Sequence, residues 1–140
     1  MIVLDTNVIS ELMRREPDPR VVAWVDAQAA TELFVTAVGQ AEILYGLALL
    51  PKGKRRDALV RAARALFEEE FENRILPFAS GAAECFSEIA AARRHAGRPI
   101  STQDAQIAAI VRQLDGTLAT RNVGDFEGCA IDVINPWSPP

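Results

Sequence analysis

Met1-Ile2-Val3-Leu4-Asp5-Thr6-Asn7 is an apolar run closing on three polar residues. It reads as a buried parallel strand that delivers a carboxylate at its carboxyl end, with Thr6 able to cap the helix that follows. Open α/β sheets place their chemistry at strand tips of this kind. Asp5 therefore organises the reading of the rest of the chain.

Downstream of Asp5 the periodicity alternates between helix and strand. Val8, Ile9, Leu12 and Met13 fall at helical spacing over residues 7–15, and Pro17 stops that helix. A second short helix carries Val21, Val22, Trp24 and Val25, then residues 31–36 read as a strand feeding a helix over 38–50. A long amphipathic helix is expected over 55–71 with Leu59, Ala63, Leu66, Phe67 and Phe71 inward. A strand at 74–78, helices over 81–95 and 101–114, and strands at 117–120 and 131–134 complete the pattern. Continuous apolar strands separated by helices require a parallel sheet covered on both faces.

The 140 residues, 49% of them apolar, suit one globular domain spanning 1–140. No secretory signal is recognisable and no apolar stretch is long enough to span a bilayer, so a cytoplasmic location is expected. Cys85 and Cys129 lack metal-type spacing and read as free thiols. The net charge of -4 argues against non-specific nucleic-acid binding by the chain as a whole.

Three further acids belong with Asp5. Crossover helices run antiparallel to the strands, so helix amino ends and strand carboxyl ends share one edge of the sheet. Glu42 lies early in the helix after the second strand, Asp104 in the first turn of the helix before the fourth, and Asp125 just beyond that strand. Carboxylates converging on one rim repel each other, and with no matching set of cations among their neighbours a divalent ion is the natural neutraliser. Oxygen-only ligands favour Mg²⁺ or Mn²⁺, and one ion, or two about 3.5–4 Å apart, would serve phosphodiester hydrolysis. Structural readings stand beside the functional ones: Asp104 follows Ser101 at capping-box spacing, Glu42 fits the solvated side of a helix, and Asp125 sits in a turn.

Val3-Leu4-Asp5-Thr6-Asn7, the helical Glu42, the Ser101–Ala108 segment, the Ala119–Phe126 segment and the closing Asn135-Pro136-Trp137 together resemble the PIN-domain ribonucleases, in particular toxins of the VapC and FitB type. The resemblance spans essentially the whole chain. It implies a three-layer α/β/α sandwich with a five-stranded parallel sheet and Mg²⁺- or Mn²⁺-dependent RNA cleavage. It also implies a homodimer silenced by a small antitoxin. Carried over to this chain, the metal-site acids are Asp5, Glu42, Asp104 and Asp125, with Thr6, Thr120 and Asn122 as supporting polar residues.

Two basic groups remain. Lys52, Lys54, Arg55, Arg56, Arg61 and Arg64 precede Glu68, Glu69, Glu70 and Glu72, which puts positive charge at the helix end that the macrodipole disfavours for cations. Those charges answer either to solvent or to an anionic partner. Arg93, Arg94 and Arg98 near the Ser101 rim, with Arg121 in the Asp125 loop, are candidate phosphate contacts. His95 is the only histidine, which rules out a paired-histidine mechanism and points to 5'-phosphate and 3'-hydroxyl products. Two rival readings are a phosphatase with Asp5 as nucleophile, disfavoured by Asn7 where the haloacid-dehalogenase type carries a second Asp, and a non-catalytic module that acts only through an antitoxin complex.

Overall fold

The computed structural model describes residues 1–140. Five strands, β1 (Ile2–Leu4), β2 (Leu33–Thr36), β3 (Ile75–Leu76), β4 (Thr117–Ala119) and β5 (Asp132–Ile134), form one sheet in the order β3-β2-β1-β4-β5, every pair parallel. β1 is central because it is apolar on both faces: Val3 packs on one side with Leu118, and Leu4 on the other with Leu33, Val35 and Ala119.

The face below Leu4 is covered by α1 (Thr6–Leu12), α2 (Pro19–Asp26), α3 (Ala37–Ala48) and α4 (Lys54–Arg64), through Val8, Ile9, Val21, Trp24, Ile43, Leu47 and Ala63. The opposite face is covered by α5 (Ser80–His95) and α6 (Thr102–Gln113), through Ala82, Ile89, Ile107 and Ile110. The chain winds from β1 outward to β3 on one side, then returns over the other face to β4. The strand order therefore reverses beside β1, and the carboxyl-end crevice between β1 and β4 is the topological switch point.

The observed elements are those the periodicity predicts, with ends shifted by a few residues and two changes of kind, the first being a 3-10 turn over Ala30–Glu32 where the strand over 31–36 is expected to begin. The expected helix over 55–71 is α-helical to Arg64 and continues as a π turn over Ala65–Glu70, closed by Phe71 N–H to Leu66 O at 2.9 Å. The wider turn sets Phe71 over Leu66, and both are buried with Phe67 and Ala63 while Glu68, Glu69 and Glu70 stay exposed. No helix is long and apolar enough to cross a membrane. Cys85 and Cys129 are free.

Candidate active site

Asp5 ends the ladder and begins a helix. Its backbone N–H donates to Ala119 O at 2.9 Å, and its carbonyl accepts from Val8 and Ile9 N–H, the first bonds of α1. Its side chain is the N-cap: Oδ1 accepts from Thr6 N–H at 2.8 Å. The cap is thus Asp5 itself, and Thr6, expected in that role, is the first helical residue. A carboxylate at Ncap accepts from an otherwise orphaned donor and sits at the positive end of the helix, so Asp takes this position more readily than the Thr one place later.

Asp5 is 5% exposed. Its Oδ2 accepts from Thr120 Oγ1 at 2.8 Å and from Asn7 Nδ2 at 3.2 Å. Thr120, fully buried at the tip of β4, accepts in turn from Asn7 Nδ2 and from Asn122 N–H, each at 3.1 Å, while Asn7 Oδ1 accepts from Arg121 N–H at 3.0 Å. Asn122 thus supports the site through its backbone. Asn7 is a supporting residue that the sequence reading did not single out: its partners lie 113 and 114 positions away, and only the pairing of β1 with β4 brings them together.

Glu42 lies about one and a half turns into α3. Thr36 caps that helix through Oγ1, which accepts from Gly39 N–H at 2.9 Å. A methyl group at Gly39 would sit 3.3 Å from Thr36 Oγ1 and 3.6 Å from Thr6 Oγ1, so glycine lets α3 close against the start of α1. Glu42 is half-buried, and its Oε1 and the Thr6 Oγ1 are both buried with no hydrogen-bond partner. Thr6 stands near enough to temper the Glu42 carboxyl without meeting hydrogen-bond geometry. Asp104, half-buried in the first turn of α6, gives its N–H to Ser101 Oγ at 3.1 Å, while its carboxylate accepts nothing from Ser101 N–H, so the capping box is one-sided.

The charges register this convergence. Burial pushes the Asp5 carboxyl above its ordinary value despite its three hydrogen bonds, with Asp125 adding repulsion. Burial also raises Glu42, reinforced by Asp5 and Asp104, and raises Asp104, reinforced by Asp5 and Asp125. Asp125 itself is exposed on the turn Val123–Phe126. Asp5 and Asp104 therefore stand within charge reach of Glu42 and of Asp125 at this edge of the sheet.

A divalent ion fits this donor set. The ligands are all oxygens, the Glu42 Oε1 is an orphan, and Asp5 Oδ1 accepts only one hydrogen bond. No three side chains close around an ion position by themselves. Hard cations of the Mg²⁺ type keep several waters and lean on one or two carboxylates, so an open protein sphere suits them.

The arginines divide. Arg93, expected as a phosphate contact, is 8% exposed and spends its donors inside the protein: Nε on Arg98 O at 2.7 Å, and Nη1 on Asp125 O at 2.7 Å and Glu127 O at 3.1 Å. It braces the Asp125 loop against α5 through Nε and Nη1, and those donors are not available to a phosphate. The signal was present: Arg93 continues the buried stripe of Ala82, Phe86 and Ile89 at helical spacing. Arg98 is exposed and paired with Glu127 at 2.8 Å, and Arg94 is exposed with no ion pair. Arg121 is exposed at the site's edge with its guanidinium 5.0 Å from the Trp137 ring centre. His95 is exposed at the end of α5.

A parallel α/β/α sandwich with acids gathered at the tip of its central strand defines a class of proteins that work through carboxylates at a switch point. The chain belongs to the PIN domain family, whose pattern matches residues 2–127. Within it the chain groups with toxins of the VapC and FitB type. It is 40% identical over 139 residues to VapC ribonuclease Y4jK of Sinorhizobium fredii, covering 99% of both chains. It is 39% identical over 137 residues to Toxin FitB of Neisseria gonorrhoeae, covering 98% of this chain and 99% of that one. The solved structure of FitAB bound to an IR36 DNA fragment superposes with a TM-score of 0.92 at 38% identity, over 100% of this chain and 98% of that one.

Proposed function

We propose that this protein is a divalent-metal-dependent endoribonuclease, the toxin of a toxin-antitoxin pair, whose whole chain acts as one nuclease domain. The observation that supports the reading is that Asp5, Glu42 and Asp104 stand within charge reach at one edge of the sheet, each pushed up first by burial and then by a neighbouring acid, with one Glu42 oxygen left unpartnered. The name of the Sinorhizobium relative supports ribonuclease activity.

Asp5, Glu42 and Asp104 would hold Mg²⁺ or Mn²⁺, with Asp125 completing the site. When bound, such an ion would lower the pKa of a water and screen charge developing on the scissile phosphate. The chain's own residues do the rest. Thr6 N–H, Thr120 and Asn7 fix the Asp5 carboxylate so that its free lone pair points one way. Arg93 holds the loop that presents Asp125 at the solvent side, where a carboxylate can orient and deprotonate an incoming water. Arg94, exposed and without an ion pair, and Arg121, exposed and held over Trp137, serve the phosphates.

The partners are an RNA substrate and a cognate antitoxin, the latter supported by the likeness to the FitAB complex. A second copy of the chain suits the exposed uncharged stripe Ala41, Leu44, Tyr45 and Ala48 of α3, which meets itself across a two-fold axis without like charges opposed. The compartment is the cytoplasm. The test is cleavage of single-stranded RNA with and without EDTA. Cleavage abolished by EDTA, restored by Mg²⁺ or Mn²⁺ and leaving 5'-phosphate ends is expected; cleavage that persists in EDTA, or yields 2',3'-cyclic phosphate, overturns the proposal.

A further inference from the structure

Glu42 lines a groove whose far end carries cations. From Thr6 and Glu42 this groove of about 370 Å³ runs between α1 and α4 over Leu47 and Leu59, with Arg14 and Arg55 on its walls. It opens into a wider hollow of about 850 Å³ that shares Met13, Arg14, Arg55 and Leu59 with it and adds Arg15 and Lys54. The only acid lining the hollow is Glu16.

These cations are not there to hold the fold. The ion pairs of the chain join the amino terminus to Glu32, Arg14 to Glu11, Arg20 to Asp18, Arg98 to Glu127 and Arg112 to Glu88. Arg15, Lys54 and Arg55 are exposed and belong to none of them. Lys54 and Arg55 stand at the amino end of α4, where no side chain caps the helix and the macrodipole opposes positive charge. An anion brought to the groove would offset that helix-end cost, although Asp57 in the same turn already tempers it.

We propose that this groove carries the single-stranded RNA on one side of the scissile bond, its phosphates on Arg15, Lys54 and Arg55 and its bases over the aliphatic floor of Met13, Leu47 and Leu59. The inference rests on the nuclease reading above and adds the direction in which substrate leaves the site. The groove is continuous with Glu42, which favours substrate over an acidic protein as the occupant. An alternating charged rim and apolar floor also suits a strand whose bases are unpaired. Arg14 is left out of the phosphate set because it pairs at 3.0 Å with the buried Glu11.

The test is fluorescence anisotropy of a labelled twelve-nucleotide single-stranded RNA in EDTA, titrated at several KCl concentrations. Each lost phosphate contact lowers the slope of log affinity against log salt by about 0.7, so the triple variant Arg15→Ala, Lys54→Ala, Arg55→Ala is expected to lower it by about 2. Arg20→Ala, an equally exposed cation outside the groove, should leave the slope unchanged. A triple-variant slope equal to that of the unmodified chain overturns the groove, and metal-dependent cleavage retained by that variant shows that the active-site reading still stands. Unchanged RNA binding together with lost binding of a poly-glutamate peptide gives the patch to a protein partner and also overturns the inference. An unmodified chain that never cleaves RNA with metal present overturns the active-site reading and this inference with it.

Discussion

Replacing Asp5 with Asn separates the residue's two duties, capping α1 and holding a metal ion. Both Asp5 oxygens act only as acceptors, Oδ1 from Thr6 N–H and Oδ2 from Thr120 Oγ1 and Asn7 Nδ2. An asparagine amide must turn its NH₂ toward one set of donors. Facing Thr6 it loses one bond, and facing Thr120 and Asn7 it loses two, so it turns to Thr6 and gives up the cap at a cost of about 1 kcal/mol. Against this, the neutral amide removes a carboxylate that burial and Asp125 disfavour. The metal-free variant should therefore lie within about 1 kcal/mol of the parent, a Tm change of no more than about 4 °C for a chain of this size. With Mn²⁺ at a hundredfold excess over its Kd the parent gains about 2.7 kcal/mol, or roughly 8–11 °C in Tm, because the ion binds only the folded state. The variant should gain almost nothing. Thermal denaturation with and without Mn²⁺ measures both differences. A variant that keeps the parent's full Mn²⁺ shift refutes Asp5 as a ligand; one that unfolds without metal shows that its duty is structural.

Arg93→Leu keeps the buried stem but leaves the carbonyls of Arg98, Asp125 and Glu127 without their donor. We expect a loss of roughly 3 kcal/mol and faster amide exchange over residues 122–129, and a stability within about 0.5 kcal/mol of the parent with weakened RNA binding would return Arg93 to the phosphate contacts. The metal-free protein should grow more stable as pH is lowered from 7 to 5. Acids raised in the folded state contribute stability that is fully present below their unfolded values and is lost as pH climbs through the folded ones, which applies to Asp5, Glu42 and Asp104. Asp18, held down to about 2 by hydrogen bonds from Arg20, works in the opposite sense, but only below about pH 4. Mn²⁺ should reverse the trend by selecting the deprotonated site. Melting curves across this range check it, and a flat metal-free profile would mean that neither burial nor mutual repulsion raises these acids.

The layer order and the shared rim were legible because both follow from local rules: apolar runs make buried strands, and helical crossovers return every strand in the same direction. What stayed hidden is set by depth and by long-range pairing. Three arginines within six residues look alike in a sequence, yet Arg93 falls on the α5 stripe that faces the core while Arg94 and Arg98 do not. Its charge made it look like a surface residue, although its spacing placed it inside. Asp5 and Thr6 are both good capping residues, and only the backbone geometry at the end of β1 decides between them. The tie from Asn7 to Thr120 and Arg121 depends on the register of β1 with β4, which no local pattern reveals.

The four acids differ in depth, and that difference gives them different work. Asp5 is almost sealed and locked by three donors at the centre of the sheet, where a low dielectric strengthens its hold on a cation and the rigid strand tips fix its direction. Glu42 and Asp104 are half-buried on two helices from opposite faces, so each approaches the same point from a different layer. Asp125 is exposed, on a turn that Arg93 braces through its backbone and not through its carboxylate, which leaves the side chain free toward solvent. The acids thus run from sealed to open at one edge of the sheet. On the proposed nuclease reading, the sealed acid suits anchoring an ion and the open one suits meeting the incoming water, because only the latter reaches solvent without opening the core.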